Sequence, residues 1–179
     1  MVIPRFDALD PIWPTPDRLF LRRVCNHLDT RRLITTEVYV RAPDYLSVYV
    51  SVGIQVQPGH FVDKVEQDVE MRLRYYLSSL APGGPDGTGW PLKKSLVSKD
   101  LDAVATRVPG VEYVQGLEMG VITPDPISKY EIGGLELPRL VGVRVQQGPV
   151  QPLKSVFSAP GSSPSLLQGV PIPVTRAKC

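Results

Sequence analysis

Histidine and cysteine are scarce in this sequence, two of each: His27 and His60, Cys25 and Cys179. Two histidines without supporting motifs supply neither a Ser-His-Asp nor a Cys-His catalytic set. Cys25, His27 and Asp29 could be drawn as metal ligands, but neighbours two apart on a helix face different directions. No metal site and no cofactor is therefore expected. Two cysteines, one inside a predicted helix and one at the last position, make no disulfide framework, which suits a reducing cytoplasm. Charge of one sign is also lacking. A net charge of +2 is too small to argue for nucleic acid or an anionic membrane as partner. No apolar run approaches the ~20 residues a membrane span requires, and the first residues lack the basic-then-apolar order of a signal peptide.

Breakers are what the chain has in plenty. Its 19 prolines in 179 residues are about twice the roughly 5% norm, and they gather outside the periodic segments. Length and a 42% hydrophobic fraction allow one real core, with arms. Residues 1–16, with four prolines around Phe6, Ile12 and Trp13, read as an extended arm packed on its own domain or on a partner. Residues 147–179, proline-rich and without helical period, read as a second extended arm, and Val170 to Thr175 is apolar enough to lie along another subunit. Between them, 17–146 reads as a single α+β domain.

Within that domain a helix is predicted from Thr15 as cap and Pro16 as first helical position to about Asp29. Ile34 to Val40 and Leu46 to Val56 are predicted strands, the second alternating cleanly, and a hairpin through Ala42–Tyr45 is the natural pairing. Val62, Val65, Val69, Leu73, Tyr76, Leu77 and Leu80 form the stripe of a long helix. Ser98 reads as the cap of a shorter helix that ends at Pro109-Gly110. Val111 to Ile122 and Leu140 to Gln146 read as later strands, separated by a long loop. The order suits a small antiparallel or mixed sheet with two or three helices on one face, and a ferredoxin-like variant fits it too.

The most informative segment is Leu80-Ala-Pro-Gly-Gly-Pro-Asp-Gly-Thr-Gly-Trp-Pro91. Glycine opens backbone angles closed to other residues and proline fixes φ, so a loop dense in both holds one shape. Gly83, Gly84, Asp86, Gly87, Gly89, Trp90 and Pro91 are its candidate shape and contact residues, with Trp90 docking its ring beside the following helix. The glycines invite a phosphate-binding alternative, a small ligand- or nucleotide-binding domain or enzyme. However, the loop follows a helix, lacks the Gly-Lys-Ser/Thr ending and carries prolines that cannot donate. Pro109 and Gly110 mark a second shaped turn. Arg31 and Arg32, with Arg22 and Arg23, form a basic cluster that could meet an acidic patch on a partner.

Four ordered motifs resemble one known family. The run from Asp29 through Val40, the Ala42-Pro-Asp-Tyr turn with its alternating strand, the Leu80–Pro91 loop, and Val108-Pro-Gly-Val111 are similar to the C-terminal half of baseplate J-like proteins. These are wedge proteins of contractile phage tails and related injection systems. The resemblance covers roughly residues 16–122. It implies a non-enzymatic role: pairing with a second, larger wedge protein and with neighbouring wedge copies in a six-fold ring around hub and tube. Sheath, hub or spike proteins would be further partners, in a particle assembled in the cytoplasm and then released or membrane-anchored. A ring of this kind needs two distinct contact surfaces per subunit. Members of the family are usually longer upstream of these motifs, so the chain is expected to be a short or split subunit or a piece of a larger one.

Overall fold

A computed structural model describes residues 1–5, 12–157 and 177–178. The architecture is α+β, and the chain divides into two compact units, Met1–Asp44 with Ser165–Cys179, and Tyr45–Pro164. The first helix therefore groups with the N-terminal segment rather than with the sheet domain to which 17–146 had been assigned.

In the first unit, helix α1 (Arg18–Asp29) starts at Asp17, whose carboxylate accepts the Phe20 amide at 2.6 Å. The start expected at Thr15-Pro16 is thus displaced by two residues. A carboxylate caps the positive helix end more strongly than a hydroxyl. Leu21 and Cys25 face inward and pack with Val40, with Val2, Phe20, Val24, Leu28 and Val38 around them. Trp13 is buried too, so this part of the N-terminal arm packs on its own chain; Phe6 lies outside the described residues. Cys25 is disulfide-bonded, whereas the two cysteines were expected to make no disulfide framework; Cys179 lies outside the described residues.

Strand β1 (Tyr39–Val40) does not form the expected hairpin with the next strand. It pairs antiparallel with β7 (Ala177–Lys178), Tyr39 opposite Lys178. The reason is visible in the second unit, where both edges of the next strand are already taken. The rest of the predicted Ile34–Val40 strand is a turn that leaves Leu33 and Ile34 exposed.

The second unit is built on β2 (Asp44–Val56), the middle of a three-stranded sheet between β4 (Val111–Val121) and β6 (Glu136–Gln147). β2 and β4 run antiparallel from Val48 opposite Val121 to Val56 opposite Val111, with register shifts after Gly53 and after Gln55. Alternation puts Val48, Val50, Val52, Ile54 and Val56 on one face, and all five are buried. Helix α2 (Val62–Tyr76) packs against β6 and helix α3 (Ser98–Thr106) against β4, and the two helices pack on each other. They bring Val65, Val69, Leu73, Leu101, Val104 and Ala105 into the core. Each of these valine and leucine side chains stabilises by about 1.5–3 kcal/mol when fully buried. Ser98 is the first helical residue of α3 rather than its cap, which is Val97 with no side-chain hydrogen bond. A minor ladder joins β3 (Leu96–Val97) to β5 (Lys129–Tyr130).

The other face of the sheet is covered by the segment after β6. The predicted arm at 147–179 is corrected over residues 148–157, which cross the sheet and fold into α4 (Leu153–Phe157), with Leu153 and Val156 buried against Tyr49. Its path is cut by glycines. A side chain at Gly53 would collide with the backbone of Gly148, Pro149 and Val150, and one at Gly142 with Tyr49 and Val156. The Gly148 amide donates to Ile54 O at 2.9 Å, and the Leu153 amide to the Glu118 carboxylate at 3.2 Å. The apolar Val170–Thr175 run lies outside the described residues.

Candidate interaction site

α2 ends at Tyr76 because the chain then folds back on the last turn instead of continuing the helix. The amides of Leu77, Ser78 and Gly84 donate to Leu73 O, Tyr75 O and Tyr75 O. Ser78 fixes the bend, its hydroxyl donating to Leu80 O at 3.1 Å. Ser79 is buried beside it, 3.4 Å from the Tyr45 hydroxyl on β2. The loop then closes on itself. Gly83 N donates to Leu80 O, Gly87 N to Gly84 O, Gly89 N to Gly83 O at 2.7 Å, and Trp90 N to Ser78 O at 2.9 Å.

Two glycines are obligatory for this closure. Gly84 (φ +82) and Gly89 (φ +95) lie in the left-handed region, where a Cβ is strained. A Cβ at Gly84 would also run into Gly89 O, and one at Gly89 into Ser79 O. The loop thus pulls its two ends together so tightly that no side chain fits between them. Asp86, Gly87 and Thr88 form its exposed tip, while Gly83, Gly89 and Trp90 are buried and Pro91 is half-buried.

Trp90 is only 4% exposed and meets Tyr76 edge-on, ring centroids 5.7 Å apart at 85°, a favoured aromatic geometry. The indole had been expected beside the following helix; its ring partner belongs to the preceding one. Its Nε1 is buried without a hydrogen-bond partner among the described residues. Burial pushes the Tyr76 hydroxyl up to about 12, helped by the Asp100 carboxylate, to which the hydroxyl donates, and by the charge of Asp86; Arg107 opposes them. A phenol held neutral in this way is a donor and a packing group, and is no base at neutral pH.

The remaining sequence candidates lie elsewhere. Pro109 is exposed and Gly110 buried at the α3–β4 turn. There Gly110 O accepts the Gln57 amide at 2.9 Å, and a Cβ on Gly110 would press on His60 and Val65. That turn fastens β4 to the start of α2 and belongs to the scaffold. Arg31 and Arg32 sit in the first unit and finish α1. Arg31 donates to His27 O at 3.0 Å, and Arg32 pairs with Asp29 and donates to Thr36 O at 2.9 Å. They are local staples, so the basic surface of that helix is made by other arginines. The reading from spacing missed the Tyr76–Asp100 contact. Its only signal was an acid in the first turn of α3, where a dipole role suffices to explain it.

Chemically, the site offers a rigid knob. The amides of Gly83, Gly84, Gly87, Gly89 and Trp90 all donate to carbonyls of the chain itself, which leaves them unavailable to a phosphate. Among the described residues no three His, Cys, Asp or Glu side chains gather to hold a metal ion. No helix of the described residues is long and apolar enough to cross a membrane. No protein-family model matches the chain, and no curated protein matches it.

Proposed function

We propose that the protein is a structural, non-enzymatic wedge component of the baseplate of a contractile injection system or phage-tail-like particle. In this reading it pairs with a second, larger wedge protein and with neighbouring wedge copies around hub and tube, and supports sheath attachment. The supporting observation is the self-closed loop. Every amide named above is satisfied internally, its indole is anchored inside the domain, and the Asp86-Gly87-Thr88 tip faces outward, as do Ala81 and Pro82. A surface preordered in this way loses little entropy on docking, which suits a permanent assembly joint. The ordered motifs that resemble baseplate J-like proteins support this kind of assembly.

The test is co-expression with the tube, sheath and wedge genes of the native locus, followed by purification of particles. The chain should be retained in six-fold stoichiometry at the tube end, as the family resemblance implies, and Asp86→Lys should weaken retention while the domain stays folded. Particles that assemble fully without the chain, or turnover of a substrate by the purified protein, would overturn the reading. Against the nucleotide-binding alternative stand the five loop amides, of Gly83, Gly84, Gly87, Gly89 and Trp90, that already donate to the chain's own carbonyls.

A further inference from the structure

Helix α1 carries charge in a place where it costs the helix stability. Arg18 occupies the first helical position and the first turn has no acidic residue, so a cation sits at the positive end of the macrodipole. Arg22 follows one turn on, a like-charge pair at i, i+4 that also destabilises. Among the described residues the Asp17 cap offsets part of this charge at the first turn. Asp17 holds the Phe20 amide, and Asp29, the only acid within the helix, is taken by Arg32. Arg18, Arg22 and Arg23 are exposed and form no ion pair among the described residues. Leu19, three and four residues before Arg22 and Arg23, stands 63% exposed on the same flank.

We infer that this outer face of α1 docks a carboxylate-bearing surface of another protein, with Arg18, Arg22 and Arg23 as the charged contacts and Leu19 as the apolar one. Arginine is the cation best matched to carboxylates because its fork donates in parallel pairs. Arginine and large apolar groups together make the energetic centre of protein interfaces, from which lysine is depleted. A nucleic-acid track would need base-stacking aromatics and a broad basic field, whereas this face has neither and the whole chain is only +2. The inference stands on α1 alone and does not depend on the baseplate reading.

The experiment uses the full chain and a helical peptide carrying glutamates along one face and leucines beside them, followed by fluorescence anisotropy at low and moderate salt. Duplex DNA and phosphatidylserine vesicles serve as competing anionic probes. The peptide should bind, weaken as salt rises, and lose about tenfold or more in affinity in Arg18→Glu/Arg22→Glu/Arg23→Glu. The matched reversal Lys64→Glu/Arg72→Glu/Lys99→Glu in the second unit should bind like the parent. The α1 variant should melt no lower than the parent, because glutamate suits the helix start; Arg18→Gln/Arg22→Gln/Arg23→Gln gives the same readout without a new charge. No peptide binding at low salt, equal binding by the α1 variants, or tighter binding of DNA or vesicles than of peptide would each overturn the inference.

Discussion

The turn after α1 and the loop after α2 face the same task, ending a helix and turning the chain, and they solve it in opposite ways. After α2 the chain draws its own carbonyls around five amides and buries an indole beneath them. After α1 two arginines staple the helix end while the chain swings outward, leaving Leu33 at 75% and Ile34 at 99% exposure. One segment contributes stability to its own domain and presents a fixed shape. The other contributes little to its own unit and presents side chains that water covers poorly. Rigidity and adhesiveness are thus carried by different parts of the molecule.

The sharpest way to break this contrast is to remove the indole. Trp90→Ala should cost about 3–5 kcal/mol in urea unfolding, whereas Trp90→Phe, which keeps a ring against Tyr76, removes the unpartnered Nε1 and leaves a smaller cavity, should cost measurably less. Equal losses would mean that the ring contact contributes little. The next largest effect is backbone closure. Gly134→Ala, left-handed in open space, should cost only the ~1–2 kcal/mol of the strain itself, while Gly89→Ala should cost clearly more because a backbone collision adds to the same strain.

A smaller effect comes from pH. The Tyr76 hydroxyl is pushed from 10.0 to about 12, so above the unfolded value the unfolded chain has already lost the proton that the native state keeps. This contribution is complete below about 10 and fades as pH climbs toward about 12. Asp100→Asn should bring the phenol part of the way down, since burial, the larger cause, remains; ultraviolet phenolate titration against Tyr76→Phe reads it. The smallest effect on stability belongs to the other segment. Leu33→Ser/Ile34→Ser should change melting by no more than about 0.5 kcal/mol and yet, if the proposed baseplate role holds, reduce retention in assembled particles. A large loss of stability there would erase the distinction between the two segments.

Legibility in the sequence followed the range of the interactions. α2, α3, β2 and β4 were readable because their apolar residues repeat at periods that only one element satisfies. The breaker density of Leu80–Pro91 likewise announced a shaped loop. What the periodicity could not contain was pairing at a distance. β1 finds its partner at Ala177–Lys178, far beyond any window, so the nearest alternating strand looked like its mate. Residues 148–157 read as an arm because their burial depends on missing side chains at Gly53 and Gly142, on strands far upstream or adjacent. Trp90 was legible as a packing residue but its ring partner was not, since Tyr76 already had a helix stripe to explain it.

The central position of β2 has a consequence for how the molecule opens. Its amides and carbonyls are laddered on both sides by β4 and β6, while helices lie over one face and the 148–157 segment over the other. Deuterium should therefore reach Val50 and Val52 last, only through global unfolding. The outward edges of β4 and β6 should label early, which would divide the sheet into a slow spine and two quick margins.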